Sequence, residues 1–118
     1  EQQPPYRQPG IVHGGDVGIT MHTMMGDIAG NVVVGARHHG IEMTEMSMGK
    51  VERNEVRGAR DTGIYCGDHS VCEVEHNRLV RIGGPGIKAY YYSGAELKDN
   101  TFVDSPRATH SSDSTLTR

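Results

Sequence analysis

The chain is poor in the residues that build an ordinary globular core. Tryptophan is absent, one phenylalanine and five tyrosines are the only aromatic residues, and hydrophobic residues make up 35% of 118 positions. Large apolar residues occur singly, and no apolar run approaches the ~20 residues that span a bilayer. These shortages argue against a membrane-spanning protein and against one large compact core.

Clustered positive charge is also missing. Twelve Lys and Arg are scattered among fifteen Asp and Glu, which gives a net charge of −3. Nucleic-acid binding needs a basic patch that neutralises phosphates. Neither nucleic acid nor a membrane is therefore an expected partner, and no cofactor is indicated.

The sequence does contain a repeat of 23 residues. Four asparagines recur at this spacing, and four Gly-Ile pairs begin at positions 18, 40, 63 and 86. The asparagines are Asn31, Asn54, Asn77 and Asn100. Three residues before them stand Ile28, Val51, Val74 and Leu97, and two residues after them stand Val33, Val56, Leu79 and Phe102.

Apolar and polar residues alternate within each repeat, as in Gly-Ile-Glu-Met, which is strand periodicity. A unit of this length without a helical segment predicts an all-β, right-handed parallel β-helix of about four coils. Residues at equivalent positions of successive repeats, which we call a column, then stack about 4.8 Å apart. The apolar columns thereby become continuous ladders that point into the coil. We expect the asparagines to bond to one another at a bend, and the glycine before each isoleucine to form a tight corner.

The repeat sets the predicted domain boundaries. Residues 1–10 are an N-terminal extension or cap, residues 11–105 are the coils, and residues 106–118, which lack the next Gly-Ile pair, are a flexible tail. The coils begin in mid-repeat. This favours a fragment of a longer solenoid, or a chain that self-associates through its ends, over a closed monomer.

The columns Gly-Ile-x-apolar and apolar-x-x-Asn-x-apolar resemble the repeats of the pectate-lyase-like superfamily of right-handed β-helices. The resemblance covers roughly Ile11 to Asp104. It implies a fold that carries many functions, among them polysaccharide lyases, hydrolases and epimerases that bind glycans along one strand face.

The outward side of the Gly-Ile strand is the predicted ligand face. Glu42, Tyr65 and Lys88 follow successive isoleucines, and together with Asp61 they are the candidate catalytic residues. What the resemblance implies is acid–base work on a glycan, in which one group takes a proton and another protonates the leaving oxygen. Glu42 and Asp61 could instead act as the two carboxylates of a glycoside hydrolase.

Substrate-binding candidates flank that row, and two simpler interpretations remain open beside it. The candidates are His22, His38 and Tyr90. The row could bind a glycan without catalysis, or it could be a solvated cross-strand ladder. No metal is assigned, because the Asp residues share no column that would form a calcium cluster.

Cys66 and Cys72 fall in inward columns that Met, Ala and Gly occupy in other coils. The favoured interpretation is a pair of core thiols, with a disulfide or a zinc site that includes His69 and His76 as alternatives. Met43, Met46 and Met48 alternate at strand spacing, which predicts core filling. Copper bound through thioethers, or metal bound by His38 and His39, are weaker alternatives.

The function that these observations favour is a secreted or periplasmic carbohydrate-related module that binds, and in an enzymatic version processes, a polysaccharide. The alternative is a non-catalytic structural or assembly solenoid. A third interpretation, a metal-handling periplasmic β-helix, rests on the Met, His and Cys content.

Overall fold

A computed structural model describes residues 10–118 of the chain. This range contains fifteen short strands, and no helix in it is long and apolar enough to cross a membrane. The strands, three to each coil, are β1 (Ile11–His13), β2 (Ile19–His22), β3 (Met25–Ala29), β4 (Val32–Val34), β5 (His39–Thr44), β6 (Met48–Glu52), β7 (Glu55–Arg57), β8 (Thr62–Cys66), β9 (Val71–Glu75), β10 (Arg78–Val80), β11 (Pro85–Tyr90), β12 (Gly94–Lys98), β13 (Thr101–Val103), β14 (Arg107–Ser112) and β15 (Thr115–Thr117).

The strands form three parallel five-stranded sheets that wrap around one interior. Sheet 1 has the order β1-β4-β7-β10-β13, sheet 2 the order β2-β5-β8-β11-β14, and sheet 3 the order β3-β6-β9-β12-β15. Each coil contributes one strand to every sheet. The all-β parallel solenoid is confirmed, with about five coils instead of four.

The predicted inward columns form the core. Ile28 pairs with Val51 and Val51 with Val74, and each of these side chains is fully buried. On sheet 2 the pairs Ile19–Ile41 and Ile41–Ile64 continue the same pattern. Each coil buries only a few apolar side chains, so stacking the coils produces a continuous core from a modest apolar content.

The asparagine ladder lies at the bend between sheets 3 and 1. The side-chain oxygen of Asn54 accepts hydrogen bonds from the backbone N–H of Asn31 at 2.9 Å and from its side-chain amide at 3.1 Å. Asn77 and Asn100 repeat this geometry in the next two coils. The ladder therefore satisfies buried backbone groups where the strands stop pairing.

A serine ladder that sequence reasoning missed lies at the bend between sheets 2 and 3. Its hydroxyl oxygens accept hydrogen bonds from the backbone N–H groups of the preceding coil, at 2.9–3.3 Å. The serines are Ser47, Ser70, Ser93 and Ser114. The first three are 23 residues apart, so the signal was present in the sequence.

The glycine before each isoleucine packs closely against the next coil and does not form a corner. A Cβ added to Gly40 would lie 2.3 Å from a methyl carbon of Val56 and 2.8 Å from the carbonyl oxygen of Gly63. The predicted corner role is therefore wrong for this column, which lies within or beside the strands of sheet 2. The corners use left-handed residues elsewhere, as at Gly30 and Arg53, where φ is 71° and 53°.

The C-terminal segment continues the solenoid. β14 pairs with β11 and β15 pairs with β12, and Thr109 occupies the position of Ile87. The flexible tail predicted for residues 106–118 is therefore wrong where these strands form. The predicted N-terminal extension, residues 1–10, lies outside the described residues except for Gly10.

Two interpretations of sulfur-containing side chains are also corrected. Cys66 and Cys72 point into the core as predicted, but they form a disulfide and are not free thiols. Met43 is fully buried, whereas Met46 and Met48 are 68% and 49% exposed. Core filling is therefore wrong for the last two.

Candidate ligand-binding face

The predicted row crosses the outer side of sheet 2. Glu42 pairs with Tyr65, Tyr65 with Lys88, and Lys88 with His110 of the fifth coil. These side chains point outward because their strand neighbours fill the inward columns. We call this row, together with His39 and Tyr90, the sheet-2 face.

The ring of Tyr65 packs tightly against its neighbours on the face. It stacks on the ring of His39 with centroids 4.5 Å apart and an interplanar angle of 3°. A Cβ on Gly67 would come within 2.5 Å of the phenol carbons, so the glycine leaves the space that the ring occupies. Only 8% of Tyr65 is exposed, so packing holds its ring in one position.

Burial also fixes the protonation of the phenol. Removal from water raises the pKa of Tyr65 well above its usual value of 10.0, and the negative charge of Asp68 raises it further. The hydroxyl is therefore protonated at neutral pH. In this state the phenol is a hydrogen-bond donor and not a base.

His39 and His110 belong to the face although sequence reasoning did not name either one for glycan binding. Burial lowers the pKa of His39 below 6.5, an effect that Asp61 opposes and Lys88 adds to. The Nε2 atom lies 3.8 Å from a carboxylate oxygen of Glu42. The Nδ1 atom is buried without a hydrogen-bond partner among the described residues. The imidazole is thus neutral at pH 7, beside the carboxylate at the start of the row.

The fourth and fifth coils add a lysine and two further rings, those of Tyr90 and His110, to the face. The Lys88 ammonium lies 4.5 Å from the centre of the Tyr90 ring and 6.0 Å from that of Tyr65. The Tyr90 hydroxyl and the Nε2 atom of His110 share a hydrogen bond of 3.4 Å. This part of the face therefore combines aromatic rings with a positive charge and with groups that form hydrogen bonds.

The remaining predicted residues lie at the margin of the face. Asp61 directly precedes β8, and its backbone N–H donates to the carbonyl of His38 at 3.0 Å. The Nδ1 atom of His38 lies 3.4 Å from a carboxylate oxygen of Asp16. His22 belongs to the first coil and pairs with Thr44, three coils away from Tyr90. The structure thus groups Glu42, Tyr65, Lys88 and Tyr90, and places Asp61 and His38 together at the adjoining corner.

The histidines at this corner are not arranged to share a metal ion. The rings of His38 and His39 are 6.3 Å apart and tilted by 51°, and their nearest charged groups are different carboxylates. Within residues 10–118 no group of three or more His, Cys, Asp and Glu is arranged to hold a metal ion. Since the two cysteines form a disulfide, they offer no thiolate for the zinc alternative.

One comparison with known proteins gave a match. A family model described as "Right handed beta helix region" matches residues 11–117, which include all fifteen strands. No curated protein and no solved structure gave a significant match. The match therefore supports the fold and its handedness, and it assigns no ligand to the sheet-2 face.

Proposed function

The chain belongs to the right-handed β-helix family, and we propose that this member binds a polysaccharide along the sheet-2 face. The observation that carries the proposal is the row Glu42, Tyr65, Lys88 and His110, in register on four successive coils. Adjacent coils are about 4.8 Å apart. A linear chain of sugar rings laid along the solenoid axis therefore meets a new hydrogen-bonding group at each coil.

The chemistry of the face suits sugar rings. The ring of Tyr90 supplies an apolar surface for the C–H face of a sugar, and the hydroxyls of Tyr65 and Tyr90 supply polar edges. The Glu42 carboxylate accepts hydrogen bonds from hydroxyl groups, and the Lys88 ammonium donates them. Tyr65 is already packed between His39 and Gly67, so little side-chain freedom is lost when a ligand binds.

Titration of the protein with a panel of soluble polysaccharides, followed by backbone amide NMR shifts, tests the proposal. Shifts should concentrate on β5, β8 and β11. Glu42→Ala, Tyr65→Phe and Lys88→Ala should each weaken binding, whereas Lys50→Ala on sheet 3 serves as the matched control. The absence of shifts with every polymer, or equal weakening by the control, would overturn the proposal.

Processing of the bound polysaccharide is the enzymatic extension of this proposal. Glu42 lies beside the neutral imidazole of His39, and its carboxylate is the group on the row that we assign to accept a proton from the substrate. The protonated Tyr65 phenol serves as a donor to the ligand. Incubation with end-labelled oligosaccharides decides the point: shortened or epimerised products that Glu42→Gln abolishes support it, and unchanged substrate restricts the module to binding.

An assembly module is the second candidate function. β13, β14 and β15 are each hydrogen-bonded to a neighbour on one side only within the described residues. Such edges offer backbone groups that pair with another strand. Sedimentation over a range of concentrations tests self-association: a species that remains monomeric throughout counts against this candidate.

An oxidising compartment, either extracellular or periplasmic, is part of the proposal. Its support is the Cys66–Cys72 disulfide, because such bonds form and persist mainly outside the reducing cytosol. Mass spectrometry of the protein isolated from its native compartment, after alkylation without reductant, tests it. Alkylated cysteines in that sample would contradict the assignment.

A further inference from the structure

Three exposed methionines gather at the corner where sheet 2 passes into sheet 3. Met25, Met46 and Met48 are 77%, 68% and 49% exposed, whereas Met21 and Met43 are fully buried. We call the exposed three the methionine corner. Large apolar side chains in contact with water gain nothing from the hydrophobic effect. Stability of the fold therefore does not account for their placement.

The coil register brings these thioethers together. Met25 and Met48 are direct partners in the pairing of β3 with β6, so they stand on adjacent coils on the same side of sheet 3. Met46 precedes Met48 by two positions, and Ser47 between them is buried. Met46 lies in the left-handed turn before β6 and Met48 is the first residue of that strand, and both side chains are exposed on either side of the buried serine. All three methionine side chains therefore lie on the outer surface of this corner, each on three rotatable bonds.

An imidazole from the next coil adjoins the methionines. His69 stands 23 residues after Met46, and both residues have left-handed backbone angles, with φ of 64° and 60°. The backbone N–H of Met46 donates to the carbonyl of Asp68 at 2.8 Å, which places the two corners in direct contact. His69 is exposed, and its ring stacks on that of Tyr92 with centroids 5.6 Å apart.

The charge around the corner is compatible with a cation. Asp68 and Glu45 stand in the same left-handed turns as His69 and Met46. The nearest lysine along β6, Lys50, has its ammonium 3.8 Å from a carboxylate oxygen of Glu73. A positive ion at the methionines therefore has carboxylates nearby and a lysine whose charge is already compensated.

We propose that the methionine corner binds Cu(I) through the thioethers of Met25, Met46 and Met48, with the imidazole of His69 as a fourth ligand. Thioether sulfur is a soft donor that selects Cu(I) over hard cations, and imidazole suits copper as well. The site is on a different surface from the sheet-2 face and does not depend on glycan binding. No electron transfer is involved, because the ion enters and stays as Cu(I).

Silver(I) is the probe that tests this site most cleanly. It is a soft monovalent ion that needs no reductant, so the Cys66–Cys72 disulfide stays closed and contributes no thiolate. Silver nitrate is titrated into the protein in chloride-free buffer, with calorimetry and the NMR signals of the methionine methyl groups as readouts. We expect one ion per chain, with shifts at Met25, Met46 and Met48 and none at Met21 and Met43.

Variants separate a built site from scattered weak binding. Met25→Leu/Met48→Leu keeps side-chain volume at exposed positions and should weaken Ag(I) binding by about tenfold or more, because two of four donors are lost. His69→Gln should give a smaller loss. Met24→Leu is the matched control, since Met24 is beside the corner in sequence but packs against the core. Binding no tighter than that of free methionine, or equal losses in the control and the double variant, would overturn the proposal.

Discussion

Replacing Asn54 by alanine tests how much the asparagine ladder contributes to stability. The side chain is 2% exposed and makes four hydrogen bonds. It accepts from the backbone and side-chain amide of Asn31 and donates to the carbonyl of Ile28 at 2.9 Å and to the side-chain oxygen of Asn77 at 3.1 Å. The substitution removes all four and leaves the backbone N–H of Asn31 buried without this partner.

The expected loss of stability follows from those four hydrogen bonds. At about 1 kcal/mol for each buried hydrogen bond, the free energy of unfolding should fall by about 3–4 kcal/mol. Native domains are stable by only about 5–15 kcal/mol, so this is a large fraction of the total. For a chain of this length it corresponds to a loss of roughly 12–16 °C in Tm.

Urea and thermal unfolding followed by circular dichroism measure the change. Lys98→Ala, a truncation of an exposed side chain on β12, is the control and should alter stability by less than about 0.5 kcal/mol. A loss for Asn54→Ala below about 1 kcal/mol, or one that matches the control, would refute the reasoning that the ladder satisfies buried groups.

Three further predictions concern a corner, the disulfide and pH. Arg53→Gly should raise the free energy of unfolding in urea by about 0.5–1 kcal/mol. Glycine removes the left-handed strain at φ 53°, and this gain exceeds the entropy that glycine loses on folding. A destabilised variant would contradict this. Cys66→Ala/Cys72→Ala opens a loop with a sequence separation of six, and the free energy of unfolding should fall by about 2 kcal/mol in the same assay. An unchanged urea midpoint would show that the disulfide does not constrain the unfolded chain. Since burial lowers the pKa of His39 from 6.5, the unfolded chain takes up a proton that the folded chain does not, and stability should fall as the pH drops below 6.5. His39→Phe, which keeps a ring on Tyr65, should flatten the change in Tm between about pH 7 and pH 5, and an unchanged slope would contradict the assignment.

The sequence predicted the features that depend on the repeat spacing alone. The asparagine ladder and the row Glu42, Tyr65 and Lys88 were located correctly because residues in one column stack whatever their chemistry. The fifth coil was missed because it carries Ala108 and Thr109 where the other coils carry Gly-Ile. Ser/Thr-rich composition suggested a tail, although strand pairing with β11 and β12 determines the structure there.

Features that depend on the corners were not predictable from the columns. Met46 and Met48 were expected inside together with Met43, but they follow it by three and five positions, and an odd separation places strand residues on opposite sides. Glu45 and Met46 are also both left-handed, so a turn separates Met43 from the two exposed methionines. The column of each cysteine showed that it points inward. The column does not give the distance between the two sulfur atoms across a corner, and that distance distinguishes thiols from a disulfide.

On the sheet-2 face, the columns gave positions but not environments. Tyr65 was expected as an exposed group, and its burial depends on how its ring lies on His39 and over Gly67. The protonation states of both rings follow from that contact. Long-range side-chain packing of this kind has no signature in residue spacing.

The corner between sheets 2 and 3 varies in length while the strands on either side keep their partners. Met21 pairs with Met43 at a separation of 22 residues, yet Met25 pairs with Met48 at a separation of 23. The bend that leads into β6 is thus one residue longer than the bend that leads into β3, and the two strands still start in register. This bend is where evolution can introduce insertions and deletions without propagating an error along the chain, and where a protein engineer would graft a foreign loop.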